Sequence, residues 1–155
     1  MNIPFNNLLA VNHELSAELE AATARVIGSG WYILGSEVEA FETDFARYHG
    51  EGRYAVGVAN GTDAIELALR AFDIGVGDEV ITVAHTAVAT VNAIEATGAR
   101  PVLVDIDAQT YTMSPTAVKA AITPRTKCIL PVHLYGQPAD LAALRRLCDE
   151  HSLIL

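Results

Sequence analysis

A chain of 155 residues and 16.5 kDa fits one domain of the usual size, roughly 100–200 residues, and can bury about 68–70% of its unfolded surface without a disulfide or metal. Hydrophobic residues make up 51% and charged ones 19%, with a mean hydropathy of +0.27, which excludes a disordered tail. Ten basic against nineteen acidic side chains give a net charge of −9 and a pI near 4.8; phosphate-backbone binding relies on clustered Lys and Arg, so no nucleic-acid partner is expected.

The start, Met1-Asn2-Ile3-Pro4, has no basic segment followed by an apolar one, so no signal peptide is predicted. Leu15, Leu19, Ala22 and Val26 share one helical face, and Gly28-Ser29-Gly30 ends that helix. A second amphipathic face follows from Val38, Phe41, Phe45 and Tyr48, closed by Gly50. Residues 54–59 read as a short buried strand. Asn60-Gly61-Thr62 turns the chain into a helix carrying Ile65, Ala68, Leu69 and Phe72, stopped by Gly75-Val76-Gly77-Asp78. A strand is predicted over 79–83, a helix over 86–97 with Gly98 as its cap, and a strand over 101–105. Ser114-Pro115 opens a helix with Val118, Ala121 and Ile122 inward. Another strand covers 127–132, another helix 138–151 with Leu141, Leu144, Leu147 and Cys148 inward, and the chain closes on Leu153-Ile154-Leu155. The longest uncharged run, residues 80–94, is broken by His85, Asn92 and three threonines and falls short of the roughly 20 apolar residues of a membrane span. No membrane partner is expected. Cys128 and Cys148 have neither a second pair nor metal-ligand spacing, which predicts a reduced, cytoplasmic protein.

Short apolar strands alternating with helices predict an α/β fold, a parallel sheet covered on both faces. Residues 1–50 form N-terminal helices and residues 51–155 the sheet. Ligands of such sheets bind at the C-terminal strand ends, in the strand-to-helix loops. The chain stops three residues into an apolar strand, which predicts the N-terminal part of a larger α/β protein; the alternative is a strand that ends the sheet.

Asn60-Gly61-Thr62-Asp63 follows a strand and opens a helix, where free N–H groups and the helix dipole favour an anion such as phosphate. Thr62 adds a hydroxyl. The competing reading is a helix cap from Asp63 with Glu66. No Gly-Lys-Ser/Thr follows, and no Gly-x-Gly-x-x-Gly is present, so neither a nucleoside-triphosphate loop nor a dinucleotide turn is predicted. His85 or Thr86, in the next strand-to-helix loop, borders the same ligand or plays a structural part. Asp105 and Asp107 read as turn acids rather than metal ligands. His133-Leu134-Tyr135-Gly136-Gln137 is either a hydrogen-bonding loop at the same sheet edge or a polar connection. His13, His49 and His151 sit on helices or at helix ends, in solvated or capping roles.

Residues 31–42 (Trp31-Tyr32-Ile33-Leu34-Gly35-Ser36 onward), 60–64 (Asn60-Gly61-Thr62-Asp63-Ala64) and 131–137 (Pro131-Val132-His133-Leu134-Tyr135-Gly136-Gln137) together resemble the DegT family of sugar aminotransferases, over essentially the whole chain. The resemblance implies the large domain of a fold-type-I, aspartate aminotransferase-like enzyme, a three-layer sandwich present here in part. It implies pyridoxal 5′-phosphate (PLP) as cofactor, a homodimer with sites at the subunit interface, and a nucleotide-sugar substrate aminated from glutamate or glutamine. Carried over, Gly61, Thr62 and Asp63 hold the PLP phosphate through backbone N–H groups and the Thr62 hydroxyl. Position 87 usually places an aromatic ring against the pyridine; here it is Ala87, so His85 or Val88 is left to cover the ring.

Transamination also needs a lysine that carries the cofactor and a carboxylate that keeps the pyridine nitrogen protonated. The family supplies both after the strand that begins at Leu153. Lys119 and Lys127, the two lysines of the sequence, match neither motif. No catalytic residue is therefore expected in these 155 residues, and the chain alone is expected to be inactive. The alternatives are a non-catalytic binding or assembly module and a PLP-dependent sugar dehydratase of the same fold.

Overall fold

The structure is a computed structural model that describes residues 4–155. The chain divides into two compact units, Met1–Gly57 and Val58–Leu155.

The first unit is helical. A helix that the apolar spacing does not announce, α1 (Leu8–Glu14), starts where the Asn7 side chain accepts the Ala10 N–H. It is followed by α2 (Ser16–Ser29), which ends at Gly30 in the left-handed region, and by α3 (Ser36–Tyr48). The helices lie where the periodicity places them. Arg25 joins α2 to Glu37 on α3 by two hydrogen bonds of 2.7 and 3.0 Å, and Phe41 stacks on Phe45 at 5.4 Å. Neither α2 nor α3 contains a buried residue.

Residues 54–59 are not a strand. Tyr54 is 95% exposed and Val56 is exposed too, and nothing among the described residues pairs with this segment. An apolar run becomes a parallel strand only when a neighbouring ladder takes up its N–H and C=O groups, so composition alone misreads it.

The second unit is α/β. Three parallel strands, β1 (Glu79–Val83), β2 (Arg100–Val104) and β3 (Thr126–Ile129), lie in the order β2-β1-β3. Ile154 continues the sheet beyond β3: its carbonyl accepts the Ile129 N–H and its N–H donates to Lys127. Every side chain of the central strand is buried. Ile81 and Val83 point into one core with Ile129, Val118 of α6 (Pro115–Ala121), and Leu144, Leu147 and Cys148 of α7 (Leu141–His151). Val80 points the other way, into a second core with Cys128, Leu69 of α4 (Gly61–Ala71) and Ile94 of α5 (Val88–Ala96). Alternation along a strand thus fills two cores and gives three layers.

Several boundaries move. β3 ends at Ile129 rather than Val132, because Pro131 has no N–H to donate to a ladder. The last helix begins at Leu141, where the Asp140 carboxylate caps the Ala143 N–H. Phe72, expected inward on α4, is its C-cap and is 60% exposed. Gly98 has φ +87°, and a β-carbon there would meet Val76 Cγ2 at 2.7 Å, so glycine both ends α5 and lets it close on the turn before β1.

Glu79, at the start of β1, escapes sequence patterning. It is 1% exposed, and its carboxylate accepts bonds from the Thr123 hydroxyl (2.6 Å), Arg125 (2.7 and 2.9 Å) and Arg100 (2.7 Å). These donors, Thr123 foremost, outweigh burial and hold its pKa near 2, against 4.5 ordinarily. A folded pKa below the unfolded one stabilises the protein above pH 4.5, and that contribution is lost as pH falls from 4.5 toward about 2. Glu79→Gln is expected to cost about 1–3 kcal/mol near neutral pH and to flatten this acid limb, which urea denaturation at neutral and acidic pH will show. The Cys128 thiol is pushed up to about 12, mainly by burial, and burial also raises that of Cys148. Both thiols are free. Iodoacetamide is expected to modify neither in the native protein and both after denaturation, read by mass spectrometry.

Candidate functional site

The strand-to-helix loops lie at the edge where α/β sheets commonly bind ligands, and hydrogen bonds show which segments share it. Arg70, in the last turn of α4, donates to the Ala96 carbonyl at the end of α5 (2.6 Å). The two helices therefore lie side by side with their C-termini together, and their N-termini share the opposite edge, where β1 ends and α5 begins.

At the start of α4 the cap is Asn60, not Asp63 with Glu66. The Asn60 Oδ1 accepts the Asp63 N–H (3.0 Å) and the Asn60 amide donates to the Asp63 carboxylate (3.2 Å). Asn60 is thus a side-chain N-cap, with Asp63 bonded back to it side chain to side chain; Glu66 is engaged instead with Arg70 (2.8 Å). The Asn-x-x-Asp spacing was the signal that could have found it. The cap fixes the direction of the first turn and consumes one N–H. Those of Gly61 and Thr62 have no partner among the described residues, and a β-carbon at Gly61 would meet nothing within 4 Å. The site is open, lined by two N–H donors and the Thr62 hydroxyl, at the positive end of an 11-residue helix.

The loop after β1 holds His85, Thr86 and Ala87. Ala87 is the N-cap of α5 and supplies no side-chain bond; Thr86 shares a hydroxyl bond with Thr90 (2.9 Å). His85 is exposed and lies 3.3 Å from the Tyr135 hydroxyl through Nε2, the two rings at 79° and 5.9 Å. Tyr135 belongs to a single 3-10 turn, Leu134–Gly136, that follows β3. His133 Nδ1 accepts the Ala139 N–H (3.0 Å), which ties this loop to the approach of α7. Thus His85, Tyr135 and the Asn60–Asp63 turn share one edge of the sheet.

The remaining candidates lie elsewhere. Asp107 accepts the N–H groups of Gln109 and Thr110 (2.9 and 3.0 Å) and the Thr110 hydroxyl; these bonds, the backbone pair first, lower its pKa. Asp105 accepts the Ile106 N–H (2.8 Å). Both are turn acids, and no group of three or more His, Cys, Asp or Glu among the described residues is placed to hold a metal. His13 and His151 stand in the last turns of α1 and α7, and His49 caps α3 against Phe45. Lys127 is exposed near the start of β3, and Lys119 is exposed in the last turn of α6, which leads to that same start. Both lysines therefore lie toward the edge opposite Gly61.

Residues 13–155 match the DegT/DnrJ/EryC1/StrS aminotransferase family. The chain belongs to that family. A Streptomyces venezuelae protein, dTDP-3-amino-3,4,6-trideoxy-alpha-D-glucose transaminase, is 54% identical over 151 residues, covering 97% of this chain and 40% of that one. Among solved structures, S. venezuelae DesV in complex with a ketimine intermediate superposes with a TM-score of 0.92 at 54% identity, covering 98% of this chain and 41% of DesV. NtdA from Bacillus subtilis with its cofactor PMP bound gives 0.89 at 37% identity, covering 99% and 35%. The chain spans about two fifths of the length of the S. venezuelae relative. Among the described residues, no helix of this family member is long and apolar enough to cross a membrane.

Asn60→Ala removes the cap while leaving Gly61 and Thr62 in place. It is expected to cost about 1 kcal/mol of stability, measurable by thermal or urea unfolding, whereas Glu66→Ala, which loses only an exposed helical ion pair, is expected to cost less than about 0.5 kcal/mol.

Proposed function

We propose that residues 1–155 are the N-terminal part of the cofactor-binding large domain of a PLP-dependent sugar aminotransferase, which transfers an amino group from glutamate or glutamine to a nucleotide-linked keto-sugar and works as a homodimer. The observation that carries the reading is the open N-terminus of α4, two unpartnered N–H groups beside a threonine hydroxyl, in a chain 54% identical to a dTDP-sugar transaminase.

PLP, when bound, supplies the electron sink that lets an amino group be exchanged with a carbonyl carbon. Its phosphate fits the α4 turn: Gly61 and Thr62 would donate their N–H groups and Thr62 its hydroxyl. The absence of a Gly61 side chain lets a bulky anion approach the backbone. Asp63 acts on this cradle through Asn60: the Asn60 oxygen holds its N–H and the Asn60 amide holds its carboxylate. At the neighbouring loop, Ala87 has no ring to set against the pyridine, and His85 would supply the flat side chain there.

Lys119 and Lys127 are not placed to reach this cradle. On this reading, the lysine that carries the cofactor and the acid that partners the pyridine nitrogen are not among these residues, and the stretch by itself does not turn over. The partner subunit of the dimer completes the sugar site.

Two experiments test the proposal. Thr62→Val is expected to raise the PLP dissociation constant of the intact protein roughly tenfold, the equivalent of about 1.4 kcal/mol, followed by absorbance titration; an unchanged constant overturns the assignment of the phosphate. Borohydride reduction of the holoprotein, freed of excess PLP, is expected to leave the exposed Lys119 and Lys127 without stoichiometric label in peptide maps, and one equivalent of PLP fixed on either would overturn their exclusion.

A further inference from the structure

The loops that leave β1 and β3 meet through His85 and Tyr135, and the geometry of that meeting is unusual. Tyr135 has φ +56° and ψ +22°, a left-handed conformation that a bulky side chain with a β-carbon disfavours. Its side chain is no part of either core, since Tyr135 is 80% exposed. Among the described residues, its phenol has one hydrogen-bond partner, His85 Nε2 at 3.3 Å. The turn is pinned on both sides, by Gln137 N–H to the Leu134 carbonyl (2.9 Å) and by Ala139 N–H to His133 Nδ1 (3.0 Å). Disfavoured backbone that burial does not repay is held by its surroundings, and such residues concentrate at functional sites.

His85 gains orientation from this arrangement. The bond enters at Nε2, on the rim of the imidazole, and His85 is exposed. Within the loop 84–87 it is the one planar side chain, since Ala84, Thr86 and Ala87 have none. Its loop opens α5, whose N-terminus shares the sheet edge with the α4 turn.

We infer that Tyr135 is a positioning residue: by hydrogen-bonding His85 it holds the imidazole as the flat surface against the planar ring of the ligand whose phosphate α4 grips. This rests on the PLP reading of the α4 turn. A histidine aligned by a tyrosine from the adjacent strand's loop then replaces a fixed aromatic ring at position 87.

The test is a double-mutant cycle on PLP affinity of the intact protein, measured by absorbance titration. Tyr135→Phe, which keeps the ring and loses the hydroxyl, is expected to raise the dissociation constant roughly three- to tenfold, and His85→Ala at least as much. His85→Phe keeps a flat surface that needs no hydrogen bond; it is expected to restore affinity to within about twofold of wild type and to make Tyr135→Phe silent in its background. Tyr135→Gly is expected to weaken PLP binding without lowering the melting temperature, since glycine relieves the left-handed backbone; a purely structural tyrosine would not separate the two. Tyr111→Phe, at the other exposed left-handed tyrosine, is the control and is expected to change nothing. Additive effects, or wild-type affinity in Tyr135→Phe, overturn the inference. If Thr62→Val weakens binding while the cycle shows no coupling, the phosphate assignment stands and the His85–Tyr135 role falls; if the wild type binds no PLP, both fall.

Discussion

Burial of β1 on both faces is the constraint on which the second unit depends. A five-residue strand with no exposed side chain must be covered above and below, and its parallel neighbours can be reached only by crossovers that return over a face of the sheet. The helices α4 and α5 cover the side to which Val80 points, and α6 and α7 the side to which Ile81 and Val83 point. Because every crossover runs back from the C-terminal to the N-terminal edge, the starts of the helices that follow β1 and β3 collect at one edge. The site is a by-product of burying five residues.

The two edges of the sheet divide the labour. At the N-terminal edge Glu79 is buried with Thr123, Arg100 and Arg125 around its carboxylate, and the bulge between Glu79 and Val80 shifts the register against β3. That edge is tied by charged hydrogen bonds. At the C-terminal edge the N–H groups of Gly61 and Thr62 have no partner among the described residues, and the Tyr135 phenol is spent on His85. A capped helix N-terminus with free N–H groups can direct its dipole at an anion without having to reorganise when the anion arrives.

Much of this was legible in the sequence because the signals are local. Glycine punctuation gave the ends of α2, α3 and α5, the 3.6-residue apolar spacing gave α4 and α7, and the motif at residues 60–64, together with those at 31–42 and 131–137, pointed to the family. The misreadings have one cause. Residues 54–59 have the composition of a buried strand but no ladder beside them, β3 loses its last residues at Pro131, and Phe72 falls one residue beyond its helix. Each depends on a neighbour in space or on where a hydrogen-bond chain stops.

By itself the sequence determined the fold class, the family and the turn that opens α4, since periodicity, capping residues and a contiguous motif are properties of short stretches of chain. Only the tertiary structure decided that Glu79 is a buried and fully bonded carboxylate and that His85 meets Tyr135. The partners in these two cases are 44 and 50 residues apart. A strand order that places β1 between β2 and β3 brings them together, and nothing in a linear pattern encodes that adjacency.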